Sequence, residues 1–212
     1  SGEGVEVVRK IIEAAPAARQ LLFVSATAQK ESAAVMDVLS PGLVTLHTSE
    51  TPVNANIEHF YLVCEERDKP DLLRKLLHAV QPERALVFVH RNETAEVVAS
   101  KLAYHHIPAS DLHGAFEKSE RKKAMEDFRS GRTRVMIASD VAARGLDLPG
   151  VTHIINLDAP SQSKAYLHRV GRTARAGAAG TALSLVTDDE RRLVRRYEAE
   201  LGIALVRMNL RE

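Results

Sequence analysis

A single cysteine, Cys64, stands in 212 residues, so the chain forms no internal disulfide and holds no cysteine-built zinc site. That suits a reducing compartment, and a cytoplasmic location is the expectation. Net charge is nearly absent too, since 29 Lys and Arg stand against 28 Asp and Glu, a formal +1. The protein is no polycation, and any binding of nucleic acid has to come from a local patch. No uninterrupted apolar stretch approaches the ~20 residues of a membrane-spanning helix. No apolar segment behind basic residues follows Ser1-Gly2-Glu3-Gly4, so no secretory leader is expected. Fixed-period repeats and low-complexity tracts are missing as well. What remains is ordinary for a globular protein, with 45% hydrophobic and 27% charged residues and length for one large or two modest domains. The expectation is a soluble intracellular chain without membrane contact.

Read from the start, Val5, Val8, Ile12 and Ala15 fall at helical spacing before Pro16 stops the run. Gln20 to Val24 reads as a short strand followed by Ser25-Ala26-Thr27. A second helix covers about 29–39, and Leu43 to Leu46 reads as another strand after Pro41-Gly42. Two strands are too few to bury both faces of a parallel sheet. Residues 1–47 are therefore expected to be the tail of a domain whose earlier part is missing, and polar 48–56 to be a linker.

From Ile57 strands and helices alternate through 57–212. Strands are expected at Ile57–Val63, Ala85–Val89, Ala109–Leu112, Val135–Ala138, Val151–Leu157 and Ala182–Val186. Leu73, Leu76, Leu77 and Val80 form one apolar helical stripe behind Pro70. Ala95, Val98, Ala99 and Leu102 form another behind a capping Asn92. A helix over about 117–129 ends at Gly131. Asp188 is expected to cap a closing helix that turns Val194, Tyr197 and Leu201 inward and stops at Gly202. This rhythm implies an α/β fold, a doubly wound, mostly parallel sheet with helices on both faces. Function in such sheets gathers beyond the carboxyl ends of the strands, where Ser25-Ala26-Thr27, His90-Arg91-Asn92, His113-Gly114, Ser139 to Asp147 and the segment around 168–177 are expected.

Two of these stretches carry recognisable chemistry. In His168-Arg169-Val170-Gly171-Arg172-Thr173-Ala174-Arg175-Ala176-Gly177, arginines recur every third residue. If the run is helical, Arg169, Arg172 and Arg175 share one broad face. Like charges so placed repel unless an anion meets them, and guanidinium forks match phosphate oxygens. A solvated basic helix end is the plain alternative. In Ser139-Asp140-Val141-Ala142-Ala143-Arg144-Gly145-Leu146-Asp147, Gly145 would admit close backbone approach and Asp147 would accept hydrogen bonds from sugar hydroxyls. The alternative is an ordinary loop in which Asp140 and Arg144 pair locally.

Taken in order, Ser25-Ala26-Thr27, Leu86-Val87-Phe88-Val89, His113-Gly114 with Glu120-Arg121, Ala138 to Asp147 and His168 to Gly177 resemble the motifs of superfamily 2 helicases. The resemblance is to the DEAD-box RNA helicases in particular, because related DExH helicases typically open the last motif with glutamine where His168 stands. It implies two RecA-like domains joined by a short linker, with ATP, Mg2+ and RNA bound across the cleft. Neither a Gly-x-x-x-x-Gly-Lys-Ser/Thr loop nor an Asp-Glu-Ala-Asp box occurs in this sequence. The resemblance thus implies the end of a first RecA-like domain plus a complete second one, with Mg2+ held mainly by the missing part. The piece alone is expected to lack ATPase activity.

The resemblance also assigns roles. Arg172 and Arg175 match arginine fingers that neutralise charge on the γ-phosphate, worth roughly 10³–10⁵ in rate where measured in NTPases. Ser25, Thr27, His168, Arg121 and Arg144 match residues that couple the two domains. Gly145 and Asp147 match the nucleotide contact, and Arg91, Gly114 and Ser139 match contacts to the RNA backbone, which carry little sequence preference. Lys118 stands where the family usually has glutamine, Ser139 where it has threonine, and Arg91-Asn92 replaces the usual Thr-Arg or Thr-Lys. Two rivals stay open: a DNA-directed superfamily 2 motor, and a non-catalytic module that binds RNA or protein. Open strand edges in residues 1–50 lead to a further expectation, that this stretch packs on the second domain, associates with another copy, or is held by a separate piece of the first domain.

Overall fold

The computed structural model describes residues 2–16, 19–24, 30–46, 53–112, 117–143, 146 and 148–209. The chain divides into two compact units, Ser1–Glu50 and Thr51–Glu212. Among the described residues no helix is long and apolar enough to cross a membrane.

The first unit contains helices α1 (Gly2–Ala14) and α2 (Lys30–Leu39). The two strands expected here are not formed. Residues 20–24 and 43–46 carry no strand pairing, and Leu22, Val24, Val44 and Leu46 are exposed. A strand exists through the ladder to its neighbour, and no strand pairs with either stretch among the described residues.

The second unit is built on seven parallel strands: β1 (Ile57–Val63), β2 (Ala85–Phe88), β3 (Ala109–Asp111), β4 (Val135–Ala138), β5 (His153–Asn156), β6 (Gly180–Val186) and β7 (Val206–Arg207). Their order is β3-β4-β2-β5-β6-β1-β7. Every pairing is parallel, so the sheet is wholly and not merely mostly parallel. The two-residue β7, absent from the sequence reading, ends the sheet as a short edge, which limits unwanted pairing.

Helices cover both faces, as the alternating apolar runs require. Ala85, Val87 and Val89 face α3 (Lys69–Val80) and α4 (Asn92–Tyr104) through Leu73, Leu76, Leu77, Ala95, Val98 and Leu102. Leu86 and Phe88 turn the other way, toward Met125 and Phe128 of α5 (Lys118–Arg129) and Ala142 and Ala143 of α6 (Asp140–Ala143). On that face, Tyr166 and Val170 of α7 (Ser163–Val170) meet Val194, Tyr197 and Leu201 of α8 (Arg191–Leu201). Each fully buried leucine of α3 contributes roughly 1.5–3 kcal/mol.

The helix starts differ from expectation in two places. Arg91, extended at φ −117°, is the cap of α4, and Asn92 is its first helical residue. Before α8 the turn is closed by Thr187 and Glu190, not by Asp188. The Thr187 N–H donates to Glu190 Oε2 at 3.0 Å, and the Glu190 N–H to Thr187 Oγ1 at 3.3 Å. A threonine with glutamate three residues on forms this reciprocal box, and Asp188 is left exposed. The start of β6 needs glycine. A Cβ on Gly180 would lie 2.6 Å from Thr173 Oγ1 and 2.7 Å from its Cγ2, while Thr173 Oγ1 donates to the Val151 carbonyl at 2.6 Å.

Candidate functional site

Six of the expected site residues, Ser25, Thr27, Gly114, Arg144, Gly145 and Asp147, lie outside the described residues. The other six fall in two places, and α7 runs between them.

The first place is the carboxyl end of the sheet. Arg91 is exposed where β2 gives way to α4, and its side chain caps nothing. The first N–H groups of α4 have no intrahelical acceptor, which favours an anion there. Ser139 follows β4, and its hydroxyl oxygen accepts the Ala142 N–H at 3.2 Å, which anchors α6. The hydroxyl proton keeps its capacity to donate. Arg121 reaches from α5 to donate to the Ala142 carbonyl at 2.7 Å, so it braces the far end of the same short helix.

The second place is the arginine loop, and here two expectations are corrected. The run is not one helix: α7 stops at Val170, and Ala174 and Ala176 adopt left-handed backbone at φ 54° and 55°. Nor does the loop lie beyond the carboxyl ends of the strands. Thr173 is bonded to Val151 just before β5 and packs on Gly180 at the start of β6, while Asn54 and Asn56 reach it from just before β1. Residues 171–177 therefore sit toward the amino ends of β1, β5 and β6. The backbone reverses because eight helical residues carry the chain back across the sheet face before β6 must begin.

The three arginines accordingly have three environments. Arg169 is 1% exposed and does not face solvent. Its Nε and Nη2 donate to the two carboxylate oxygens of Asp140, both at 2.7 Å. Its Nη1 donates to Asn156 Oδ1 at 3.0 Å and to the Asp158 carbonyl at 2.7 Å, and the fork lies 4.8 Å from the Phe88 ring centre. Asn156 in turn donates to Ser184 Oγ at 3.1 Å, and Asp158 Oδ2 accepts the His90 N–H at 2.7 Å. A buried polar network thus ties β2, β4, β5, β6 and α7 at the carboxyl end. Asp140 thus forms a bidentate pair with Arg169, and Arg144, its partner in the alternative reading of this loop, lies outside the described residues.

Arg172 is half-buried, and its Nη1 donates weakly to the Leu146 carbonyl at 3.4 Å. Burial, and then the charge of Arg175, push its guanidinium below the ordinary range. It stays charged, so an anion at this spot would be welcome. Arg175 is exposed, with Nε 3.4 Å from the Gly171 carbonyl. His168 is exposed on α7. The left-handed alanines cost roughly 1–2 kcal/mol each, a strain the surroundings must offset.

Among the described residues, no group of three or more His, Cys, Asp or Glu could hold a metal ion. The chemistry present among the described residues is cationic and donor-rich: two guanidinium groups on one loop, the N-terminus of α4 without a side-chain cap, and a hydroxyl. Such groups hold phosphate. The sequence reading missed Asp140, Asn156 and Asp158 as partners of Arg169, because no periodicity links residues 29 apart.

Comparison with known proteins agrees with this geometry. The model of the helicase conserved C-terminal domain matches residues 68–177. The DEAD-box ATP-dependent RNA helicase CshC of Bacillus cereus is 35% identical over 205 residues, which is 96% of this chain and 52% of CshC. The probable ATP-dependent RNA helicase YfmL of Bacillus subtilis is 39% identical over 94% of this chain and 53% of its own length. Among solved structures, S. cerevisiae Dbp5 bound to RNA and ADP BeF3 has a TM-score of 0.82 at 31% identity, over 96% of this chain and 55% of that one. The chain spans about half the length of the curated relatives it matches. With the helicase model covering over half of the residues and a RecA-like parallel sheet beneath it, the chain belongs to the DEAD-box helicases of superfamily 2 and carries their helicase C-terminal domain.

Proposed function

We propose that this chain works as the second half of an ATP-dependent RNA helicase that opens short duplexes locally. In this reading residues 57–212 form the second RecA-like domain, 1–47 the end of the first, and 48–56 the link between them. ATP and RNA are taken up across the cleft, and Mg2+ is held mainly by the first domain, where it would offset charge on the phosphates. Closure brings Arg172 and Arg175 to the γ-phosphate, so that catalysis is positioning plus charge stabilisation. Asp147 and Gly145 serve the nucleotide. His168, Arg121, Arg144, Ser25 and Thr27 pass the closure between domains, and Arg91, Gly114 and Ser139 hold the RNA backbone. The observation that supports this reading best is the pair of guanidinium groups on one loop, one exposed and one held weakly beside Leu146.

The test is RNA-stimulated phosphate release. Arg175→Ala in the full-length protein is expected to lower turnover by about 10³-fold or more. Unchanged turnover would favour a non-catalytic binding module and overturn the proposal. Equal stimulation by DNA and RNA of one sequence would point to a DNA-directed motor. The 212-residue chain by itself is expected to release no phosphate above a buffer blank.

A further inference from the structure

The arginine loop is held from an unexpected quarter. Asn54 Nδ2 donates to the Ala174 carbonyl at 2.7 Å, and Asn56 Nδ2 donates to the Gly177 carbonyl at 3.3 Å. Both asparagines belong to the stretch that the sequence presents as a linker. They are themselves locked together, because the Asn56 N–H donates to Asn54 Oδ1 at 3.0 Å and the Gly180 N–H to the Asn56 carbonyl at 3.0 Å. The bonds fall at both ends of the strained segment. Ala174 and Ala176 are left-handed without being glycine, Gly177 has φ 81°, and Arg175 sits between them. A left-handed residue turns its carbonyl away from the helical ladder, so that carbonyl needs another donor. Strain of this kind persists only where the surroundings over-determine it.

We infer that Asn54, supported by Asn56, is a positioning residue for Arg175: its amide holds the left-handed turn that aims the guanidinium. This rests on the reading of Arg175 as an arginine finger. It also makes the linker a working part of the catalytic loop, since any movement of residues 54–56 is passed to 174–177 through two hydrogen bonds.

Asn54→Asp tests it. The isosteric change keeps the oxygen that accepts from Asn56 and removes the donor to Ala174. In the full-length protein it should slow RNA-stimulated turnover on the order of tenfold to a hundredfold, the usual penalty of misplacement. The KM for ATP and the affinity for RNA should stay within about twofold, as for an interaction made only in the transition state. The double variant with Arg175→Ala should turn over no more slowly than Arg175→Ala alone. In this chain, the left-handed carbon chemical shifts of Ala174 should be lost in Asn54→Asp at an unchanged melting temperature. Wild-type turnover by Asn54→Asp while Arg175→Ala is inactive would overturn the clamp, as would penalties that multiply in the double variant. Should Arg175→Ala prove fully active, the finger reading fails instead, and the Ala174 shifts still report whether the clamp exists.

Discussion

Arg169, Arg172 and Arg175 are chemically the same residue at equal spacing, yet one has its charge matched inside the fold. Burial decides which. Arg169 is enclosed with a bidentate carboxylate and two further acceptors, so its charge is matched inside the fold. Removing Asp140 leaves that guanidinium buried without a counter-charge. Asp140→Asn is therefore expected to cost about 3 kcal/mol in urea unfolding of this chain, whereas Arg175→Ala costs about 0.5 kcal/mol or less. Comparable losses for the two would contradict the assignment. A second residue-scale prediction concerns His59, which is 7% exposed and shares a 2.8 Å hydrogen bond with the Tyr166 hydroxyl. Burial lowers its pKa from 6.5 to about 4. The folded state thus disfavours the proton that the unfolded state takes up. Its contribution is fully present above pH 6.5 and is lost as pH falls through about 4, which amounts to roughly 3 kcal/mol at 1.36 kcal/mol per pKa unit. His59→Gln should flatten the stability profile in that window, to which burial of His153 adds in the same direction. An unchanged slope would remove His59 as the cause.

Among the elements, those fixed by local pattern came out close to their expected places. The stripe Leu73, Leu76, Leu77 behind Pro70 is α3, and the continuous run Ala85 to Phe88 is a central strand. Elements that depend on a partner did not. Gln20 to Val24 has strand composition but no ladder, and the arginine run has helical spacing but a helix that ends at Val170. The reason for the latter is visible at Gly180, where Thr173 and the strand start approach too closely for a side chain. Gly180→Ala should therefore force Thr173 or β6 to shift and cost about 1–3 kcal/mol in thermal or chemical unfolding. A neutral result would mean that this contact does not fix the loop against the sheet.

At the scale of the whole molecule, the seven strands and three apolar clusters found among the described residues lie in the second unit. Residues 51–212 expressed alone are thus expected to unfold cooperatively, within about 3 °C of the same transition in the 212-residue chain. Loss of cooperativity would show that the second unit does not carry its own core. The α/β alternation, the buried strands, the family motifs and the candidate residues were legible in the order of amino acids alone, because apolar periodicity and motif spacing are local properties. Strand order, the pairing of Asp140 with Arg169, the left-handed turn at Ala174 and its hydrogen bond from Asn54 were set only when the chain folded. Those depend on which distant segments the crossovers bring side by side, and a buried charge or an unladdered carbonyl takes whatever partner the fold delivers to it.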